Sequence, residues 1–403
     1  MSSNKSSSRE PQERLRIAIE ARRIFNPYKR GMDVVALEMI RQLQRMDTYN
    51  EYFILTRKDA DVCLSETANF HIVYLTGFCY PVWEQLSLPK WVRRNKPDIL
   101  HCMSNTAPLH VRCPLFLTLH DLAFLERNVG TLPQRLGNIY RSMVAPRAAR
   151  RAKVVFTVSK YQKESIKQRL RLPDEKVKVV YNGVPSRFFE QAQPDLRWEV
   201  QQTYGLPSRF ILFLGNTETR KNLKGVLSAY AMLPEMMDED IPDLVVSGVT
   251  PRHLAKVLRH LGLASAAPRI KEVGYISASH LPVVYQMAEM LLFPSYSEGF
   301  GLPIIEAMAS GIPVVTSNVT AMPEVAGDAA LLVSPSLSPN IAKAMELLLT
   351  TVTLRAILVQ KGLERVKHFG GPEQAQKVLS SYLCLGNSAV ASGSPEDANH
   401  YAR

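Results

Sequence analysis

The sequence predicts two α/β domains, each built on a doubly wound parallel sheet, and three observations support this fold class. The 403-residue length exceeds what one hydrophobic core usually organises. With 46% hydrophobic and 21% charged residues, the composition is that of a globular protein. Short β-branched runs alternate with longer segments of helical period along both halves of the chain. Strands that are apolar on both faces and joined by helices are typical of parallel sheets.

The first half contains seven predicted strands, with helical periodicity between several of them. The strands are expected at Leu15–Ile19, Tyr52–Thr56, Asn69–Leu75, Asp98–Met103, Leu115–Leu119, Lys153–Val158 and Lys176–Tyr181, and helices at Met32–Met46 and Leu136–Ala149. The second half repeats the alternation. Its strands are expected at Phe210–Leu214, Leu244–Ser247, Ile270–Val273, Met290–Phe293 and Pro313–Thr316, and helices at Leu223–Met232, His253–Leu261 and Leu281–Met287.

The domain organisation follows from these elements and from the Gly and Pro residues between the two halves. The predicted units are a disordered tail at 1–14, a first domain at 15–187, a linker at 188–207, a second domain at 208–370, a helix at 371–386 and a disordered tail at 387–403. Because sheets of this kind bind ligands beyond the carboxyl ends of their strands, we expect the site in a cleft between the two domains.

Apolar runs and cysteines bear on the cellular setting. The first apolar run, Leu15–Ile19, is too short for a secretory signal, and no apolar stretch approaches the roughly 20 residues that span a bilayer. The five cysteines form no C-x-x-C pair, which argues against a disulfide framework or a zinc site. We therefore expect a cytoplasmic protein.

The net charge of +12 is unevenly distributed, because the segment Arg141–Lys178 contains 12 Lys and Arg against three acids. Such a run of charges is usually a solvated face of the protein. The alternative is that it binds a partner, which could be nucleic acid, an anionic membrane surface or an acidic acceptor. Helical spacing places Lys160, Lys163 and Lys167 on one side of a helix. A stripe of this kind predicts peripheral contact with the inner face of an anionic membrane, with simple solvation as the alternative.

The most informative segment is Phe293–Thr316, which leaves a strand, turns through two glycines and is expected to enter a helix at Pro303. The glycines allow backbone amides at the helix start to approach a ligand, and the positive end of the helix dipole favours an anion such as a diphosphate. Glu298 in the loop and Glu306 in the first helical turn are predicted to reach different parts of one ligand. Alternatively, Glu306 only complements the dipole and Glu298 faces solvent.

This pair of glutamates resembles the E-x7-E motif of the retaining glycosyltransferases of family GT4. Other segments similar to that family occur along nearly the whole chain, and those of the first half look most like its mannosyltransferase branch. They are FLGNTETRKN (213–222), VGYI (273–276), AMPEVAGDAALLVSP (321–335), WEQLSLP (83–89), DILHCMSNTAP (98–108), LTLHDLAFL (117–125) and RRAKVVFTVSKYQKESI (150–166). The resemblance implies a GT-B-like fold, in which an acceptor-side domain and a nucleotide-sugar-binding domain, both Rossmann-like, face each other across a cleft.

The resemblance also implies roles for individual residues. It assigns Glu306 to the donor ribose, Glu298 to the donor sugar, and Arg220 with Lys221 to the diphosphate. The other donor-binding positions that it implies are Gly299, Phe300, Gly301 and Leu302 at the helix start, Gly215 and Asn216 after the first strand of the second domain, and Val273, Tyr275 and Ile276 in a turn that meets the base. Many relatives have Gly-Arg where this chain has Gly215-Asn216, so one expected cation is missing.

Two first-domain positions complete the expected site. His120, at the end of a strand, resembles the family's active-site histidine and is expected to contact the donor sugar or the reacting region, with a purely structural role as the alternative. His101, on a neighbouring strand end, is expected to be structural. Relatives usually have a Gly-rich turn before the first helix, of which this chain keeps Gly31 on the acceptor side.

The expected reaction is transfer of a sugar, with mannose as a candidate, from a nucleotide-diphosphate donor to a glycan or lipid-linked acceptor, as in polysaccharide biosynthesis. No acidic D-x-D triplet of the sort that would hold a metal between phosphates is apparent, the nearest acidic run being Asp238-Glu239-Asp240 in what reads as a helix-to-strand loop. Neither a metal nor a cofactor is therefore expected, and nucleic acid is not expected as a partner. The rival interpretations are a basic membrane- or nucleic-acid-binding protein with a degenerate core, and a nucleotide-sugar epimerase, because fold does not fix function.

Overall fold

A computed structural model describes residues 14–125, 132–237 and 241–391. It contains two sheets in which every strand pair is parallel. The strands of the first sheet are β1 Arg16–Glu20, β2 Glu51–Thr56, β3 Phe70–Tyr74, β4 Ile99–Cys102, β5 Leu115–Leu119, β6 Val154–Thr157 and β7 Val177–Val179. Those of the second are β8 Phe210–Leu214, β9 Asp243–Ser247, β10 Ile270–Glu272, β11 Met290–Phe293, β12 Val314–Ser317 and β13 Leu331–Val333. The predicted two-domain α/β class is confirmed.

Helices connect the strands. They are α1 Gly31–Met46, α2 Tyr80–Val82, α3 Leu88–Asn95, α4 Leu132–Arg151, α5 Lys160–Leu170, α6 Pro194–Tyr204, α7 Leu223–Met236, α8 Pro251–Leu261, α9 Leu281–Met287, α10 Leu302–Ala309, α11 Met322–Ala326, α12 Ser338–Thr350, α13 Val352–Arg365 and α14 Gly371–Ala391. One π-helical segment, Trp83–Ser87, joins α2 to α3.

Each sheet has a hydrophobic core on both faces, which explains why its strands are apolar without alternation. Along β1, Ile17 and Ile19 pack into one cluster and Ala18 into the cluster on the opposite face. Along β8, Ile211 and Phe213 face one cluster while Leu212 faces the other. Successive side chains of a strand point to opposite faces, so continuous apolar runs are required where helices cover both sides.

The strand order places a ligand crevice in each domain. The first sheet has the order β3-β2-β1-β4-β5-β6-β7 and the second β10-β9-β8-β11-β12-β13. The direction of winding therefore reverses between β1 and β4 and again between β8 and β11. Beyond the carboxyl ends of such a strand pair, the connecting segments diverge and leave an opening. The residues that follow these four strands are thus placed to form the functional site.

The structure differs from the expected organisation at three places. The 188–207 segment, expected as a linker, contains helix α6, whose Val200 is buried in the second-domain core. Pro194 begins this helix and Gly205 ends it with a φ of 57°, so residues expected in turns serve as helix-end residues. Strand β13 was not predicted. Helix α14 runs to Ala391, past the expected end at 386 and into the segment expected as a disordered tail.

The last helix returns to the first domain. Ala375, Val378 and Tyr382 of α14 are buried in the first-domain core beside β1. Residues 1–13 and 392–403, which contain most of the two predicted tails, lie outside the described residues, as does the acidic run 238–240. None of the helices in the described ranges is long and apolar enough to cross a membrane. Among the same residues, no group of three His, Cys, Asp or Glu side chains is arranged to hold a metal ion.

Candidate active site

Glu298 lies between two cations beyond the carboxyl ends of β8 and β11. Its Oε1 accepts a hydrogen bond from Lys221 Nζ at 2.7 Å and its Oε2 one from Arg220 Nη1 at 2.9 Å. The Glu298 backbone N–H donates to Thr320 Oγ1 at 3.2 Å. Only 9% of Glu298 is exposed. The structure therefore brings Glu298 to two adjacent cations that lie more than 70 positions earlier in the sequence.

The charges of this cluster stabilise one another. Burial opposes ionisation of Glu298, but Lys221 and Arg220 outweigh it and hold the pKa of the carboxyl below its ordinary value. Burial also opposes the charge of Arg220, and Glu298 with Glu218 outweighs that effect and raises the pKa of the guanidinium. Glu298 and Arg220 are thus charged at neutral pH. Buried charges in this arrangement depend on one another, because removing one leaves its partners unpaired.

Asn222 fixes the turn that presents the two cations. It adopts a left-handed conformation with φ 61°, and its side-chain oxygen accepts from the Gly225 N–H at the start of α7. Its amide nitrogen donates to the carbonyl oxygens of Pro294 and Pro335 at 3.0 and 2.7 Å. Asn is one of the few residues that tolerate this backbone conformation. The turn containing Arg220 and Lys221 is therefore tied to the end of β11, next to Glu298.

Glu306 lies in different surroundings. It is the fifth residue of α10, which begins at Leu302, so it belongs to the second helical turn and Pro303 is the second helical residue, not the first as expected. Its Oε2 accepts from Tyr285 Oη at 3.0 Å. Burial raises the pKa of Glu306 to about 7, although Tyr285 and Arg187 act in the opposite direction. Within the described residues Oε1 accepts no hydrogen bond and is available to a ligand.

The glycines before α10 allow the two domains to meet. A Cβ at Gly299 would lie 2.2 Å from the His120 carbonyl oxygen, so only glycine fits at this contact. Gly301 precedes the helix with a φ of 105°, a conformation that side chains disfavour. On the opposite side of the cleft, Gly31 at the start of α1 faces Leu302, and a Cβ there would lie 3.5 Å from Leu302 Cδ1. The predicted cleft between the domains is therefore narrow at this point.

His120 follows β5 and is buried at the domain contact. Its Nε2 lies 3.0 Å from the Met103 carbonyl oxygen, and its backbone N–H donates to Asn105 Oδ1 at 2.6 Å. Since a carbonyl oxygen only accepts, Nε2 carries the proton and Nδ1 is left as an acceptor. Burial lowers the pKa of the imidazole, which is therefore neutral at pH 7.

His101 differs from His120 in having both ring nitrogens occupied. Its Nδ1 lies 2.5 Å from Tyr382 Oη and its Nε2 lies 2.8 Å from Thr118 Oγ1. Burial lowers the pKa of the ring to about 3. The ring ties β4 to β5 and to the returning helix α14, in agreement with the structural role expected from the sequence.

The remaining predicted donor residues divide into exposed and buried ones. Tyr275 is 47% exposed, and its ring packs edge-on against Tyr28 of the first domain with centroids 5.5 Å apart. Asn216 accepts from the Glu218 N–H, and the backbone of Gly215 lies against Gly248. By contrast, the side chains of Ile276 and Phe300 are buried in the core, and Val273 packs against it. Those three positions can offer a ligand mainly their backbone groups.

Sequence reasoning missed the residues that join the domains behind the cleft. Glu324 of α11 accepts at Oε1 from the Lys160 N–H at 2.7 Å and from Tyr181 Oη at 2.8 Å, and at Oε2 from the Tyr161 N–H at 3.0 Å. A second-domain carboxylate thereby satisfies the amino end of α5 in the first domain. Ser159 adds a hydrogen bond from Oγ to the Gly299 carbonyl oxygen at 2.8 Å. Only the AMPEVAG segment pointed to Glu324.

The basic segment of the first domain is partly neutralised by its own acids. Lys163 Nζ lies 2.9 Å from Asp174 Oδ2, and Lys167 Nζ bonds to Asp174 at 2.7 Å and to Glu164 at 3.0 Å. Helix α5 does run through the predicted stripe, and its Ile166 is buried. Of the three lysines expected on one side of the helix, two are thus engaged in ion pairs.

The geometry defines a class: two Rossmann-like domains of the GT-B type, with carboxylates and cations gathered at the facing crevices. Comparison with known families and proteins agrees with this class. The family model described as "Glycosyl transferases group 1" matches residues 197–365, and "Glycosyltransferase Family 4" matches residues 29–188. The chain belongs to glycosyltransferase family 4, with one matched region in each domain.

Known proteins similar to the chain include an O-antigen chain mannosyltransferase B from Escherichia coli, 31% identical over 235 residues that cover 58% of this chain and 61% of that protein. The chain thus spans less than two thirds of that relative's length. Among solved structures, sucrose-phosphate synthase from Thermosynechococcus elongatus superposes with a TM-score of 0.72 at 21% identity, over 94% of this chain and 100% of that one. Anabaena HepE in complex with UDP and glucose superposes with a TM-score of 0.69 at 18% identity, over 91% of this chain and 99% of that one.

Proposed function

We propose that this glycosyltransferase moves a hexose, mannose in the first instance, from a nucleoside diphosphate donor to a glycan acceptor that is lipid-linked or part of a polysaccharide. The observation that carries the proposal is the pairing of Glu298 with Arg220 and Lys221 beside a glycine-flanked helix start, across the cleft from His120. Transfer with retention of anomeric configuration, as in the family that the sequence resembles, is part of the proposal.

The chemistry of glycosyl transfer fits this cluster. Negative charge grows on the departing diphosphate, and preorganised cations lower the barrier by stabilising it. A diphosphate entering beside α10 would accept hydrogen bonds from Arg220 and Lys221 that Glu298 accepts in the free protein. Glu298 would then be free to accept from hydroxyls of the donor sugar. In the free protein, pairing with Glu298 keeps Arg220 and Lys221 ordered before the donor arrives.

The neutral histidine and the second glutamate complete the donor site. His120 Nδ1 is an acceptor at the domain contact and would receive a hydrogen bond from a sugar hydroxyl. Glu306 Oε1 would accept from the ribose hydroxyls. We assign no general base, because in same-face attack the leaving phosphate oxygen takes the acceptor proton. The name of the Escherichia coli mannosyltransferase supports mannose and a polysaccharide acceptor, and the UDP complex of HepE supports a nucleotide in this crevice.

A panel of UDP-, GDP- and ADP-sugars tests the donor site. Each is titrated against the protein while its thermal unfolding is followed, since a ligand that binds the native state raises the midpoint. We expect stabilisation by one nucleotide class, and transfer from that donor to a mannose-terminated glycan. If none of the donors stabilises the protein, the proposed function is wrong and a binding protein with a degenerate core is the better interpretation.

We propose further that transfer needs no metal ion, with Arg220 and Lys221 supplying the positive charge at the diphosphate. Activity should then be unchanged after treatment with EDTA. Complete loss of turnover, restored by magnesium or manganese, would contradict the proposal.

Peripheral membrane contact through the basic segment is a separate proposal. The described residues Arg150, Lys153 and Lys160 are exposed, whereas Lys163 and Lys167 are held by acids. Each Lys or Arg near an anionic surface contributes about 1 kcal/mol, and added salt screens the attraction. We expect co-sedimentation with anionic but not neutral vesicles, declining as salt rises. Equal recovery in the supernatant with both vesicle types at low salt would contradict it.

A further inference from the structure

A buried polar cluster in the first domain is not used by the donor chemistry. It is centred on two carboxylates, Glu20 at the carboxyl end of β1 and Glu84 in the π-helical segment, each with 0% of its surface exposed. Single π-helical turns within helices are frequent at functional sites. The cluster lies at the first-domain crevice, because Met103 donates its N–H to Glu20 and accepts from the His120 ring through its carbonyl.

Both carboxylates are occupied by hydrogen-bond donors other than a guanidinium group. Glu84 Oε1 accepts from Tyr80 Oη at 2.7 Å and from Thr106 Oγ1 at 2.5 Å. Its Oε2 accepts from Gln85 Nε2 at 2.9 Å and from Tyr140 Oη. Glu20 accepts from backbone N–H groups at both oxygens. Neither carboxylate therefore accepts a hydrogen bond from a guanidinium among the described residues, although the charge of Glu20 acts to raise the pKa of Arg22.

Two arginines next to this cluster make no salt bridge among the described residues. The Arg22 guanidinium lies over the rings of Tyr80 and Trp83, 5.0 and 5.9 Å from their centroids, and its Nε is buried with no acceptor. Within the described residues, Arg141 donates one hydrogen bond, from Nε to the Gly137 carbonyl oxygen of its own helix at 3.4 Å. Buried polar atoms without a partner are rare in native proteins and call for an explanation.

The two guanidinium groups are neighbours of the same ring. Burial lowers the pKa of Arg22, and Tyr80 is the next largest influence on it. Burial likewise lowers the pKa of Arg141, again followed by Tyr80 and then by Asp121, the residue after His120. Tyr140, the residue before Arg141, packs edge-on against Tyr80 with ring centroids 5.9 Å apart, so both arginines lie near this ring. Two partly desolvated cations that make no salt bridge among the described residues are complementary to an anion. The planar guanidinium fork matches the oxygen pairs of phosphate and carboxylate.

We propose that Arg22 and Arg141 form an anion-binding subsite on the acceptor side of the cleft, and that the acceptor carries a phosphate or carboxylate group there. The subsite consists of Arg22, which lies over the Tyr80 ring, and Arg141, which follows Tyr140 beside that ring. Its use by an acceptor rests on the proposed transfer reaction, whereas anion binding itself does not. The Trp83–Pro89 segment, which the donor chemistry leaves without a role, then positions the subsite through Trp83, Glu84 and Gln85.

Inorganic phosphate is the first probe, titrated by phosphorus NMR. The second-domain cations are removed by combining Arg220→Gln with Lys221→Gln, so that phosphate binding there cannot contribute. In this background, adding Arg22→Gln or Arg141→Gln should weaken phosphate binding at least about tenfold, the scale expected for loss of charge-assisted hydrogen bonds. Arg94→Gln, which removes an exposed first-domain charge, is the matched control and should change nothing.

Sodium acetate, titrated in the same way, distinguishes the two anion types, and tighter binding of either one supports the subsite. Arg22→Lys keeps the positive charge but lacks the planar guanidinium group. Its phosphate affinity should therefore lie between that of the protein with Arg22 and that of the Arg22→Gln variant. Circular dichroism establishes that each variant is folded. If Arg22→Gln does not fold, Arg141→Gln provides the test of the subsite. Equal anion affinity in the Arg22, Arg141 and Arg94 variants, or binding of neither phosphate nor acetate to the background protein, would overturn the inference.

Activity provides the second readout. With the donor identified by the nucleotide panel, Arg141→Gln should raise KM for a phosphorylated acceptor sugar with little change in kcat, and leave a neutral acceptor sugar unaffected. An equal effect on both acceptors would contradict the acceptor role. If no nucleotide binds but phosphate affinity still depends on Arg22 and Arg141, the proposed transfer reaction fails and the anion site stands.

Discussion

Glu298 and Glu306 lie on the same connection between β11 and α10, yet their electrostatic surroundings are opposite. Glu298 is held ionised by Lys221 and Arg220 despite its burial. Glu306 is equally buried but is met by the hydroxyl of Tyr285, and its pKa rises to about 7. The difference shows that the neighbours of a buried carboxylate determine its charge, because desolvation acts similarly on both.

The two surroundings suit two tasks. A carboxylate that stays charged across the neutral range can hold cations in place and accept from sugar hydroxyls. A carboxyl that titrates near neutrality changes from acceptor to donor as pH falls, so a ligand that requires two accepted hydrogen bonds will bind in a pH-dependent manner. Of the four experiments below, which run from the largest expected effect to the smallest, the first three test this contrast.

The largest effect is expected for Glu298→Ala. Transfer should fall at least about a hundredfold, because the contact to the donor sugar is lost, while the free nucleoside diphosphate still binds because Arg220 and Lys221 are released to it. Steady-state kinetics and calorimetric titration measure the two properties. Glu218→Gln is the matched control, since Glu218 also bonds to Arg220, at 2.5 Å, and should keep near-normal turnover. Near-normal turnover in Glu298→Ala would show that the division of roles is wrong.

An intermediate effect is expected for Glu306. Nucleotide binding should strengthen as pH rises through about 7, where Glu306 becomes an ionised acceptor. Glu306→Gln should bind more weakly above that pH and lose the pH dependence. Tyr285→Phe removes a hydrogen bond that lowers the pKa of Glu306 and should move the midpoint to higher pH. Binding that is independent of pH in the wild-type protein would contradict the assignment.

The free energy of unfolding should also depend on the ionisation of Glu306, and it should decrease as pH rises. The folded pKa of Glu306 lies above the ordinary value of 4.5, so its ionisation destabilises the native state as pH rises from about 4.5 to 7. Glu306→Gln removes this cost, which is at most about 3 kcal/mol. Burial raises the pKa of Glu20 to about 7 as well, so the difference between wild type and Glu306→Gln is the informative quantity in urea unfolding. A constant difference across that pH range would exclude the shifted titration.

The smallest effect is expected for Glu324, behind the cleft. Glu324→Gln weakens the contact with the Lys160 and Tyr161 N–H groups at the start of α5, and should cost about 1 kcal/mol of stability. The domains should also separate more readily, which small-angle scattering would detect as a larger radius of gyration. Glu364→Gln, an exposed residue paired only with Lys367, is the control. An unchanged radius of gyration would show that Glu324 does not hold the domains together.

Much of the fold was predictable because its pattern is local. Continuous apolar runs such as Leu115–Leu119 specify strands buried on both faces, and all five residues are buried in the structure. The helix α6 was missed because Pro194 and Gly205 occur in turns as well as at helix ends. Strand β13 has only three residues, too few for an alternation or an apolar run to identify it.

The sequence by itself determined the fold class, the family and the segment that contains Glu298 and Glu306, since these depend on residue type and spacing along the chain. Only the tertiary structure decided that Glu298 meets Lys221, that Tyr285 meets Glu306, and that the buried Arg22 Nε has no acceptor among the described residues. These contacts join residues from 21 to 77 positions apart. Charge and pKa depend on distance in space and on desolvation, which the order of residues along the chain does not specify.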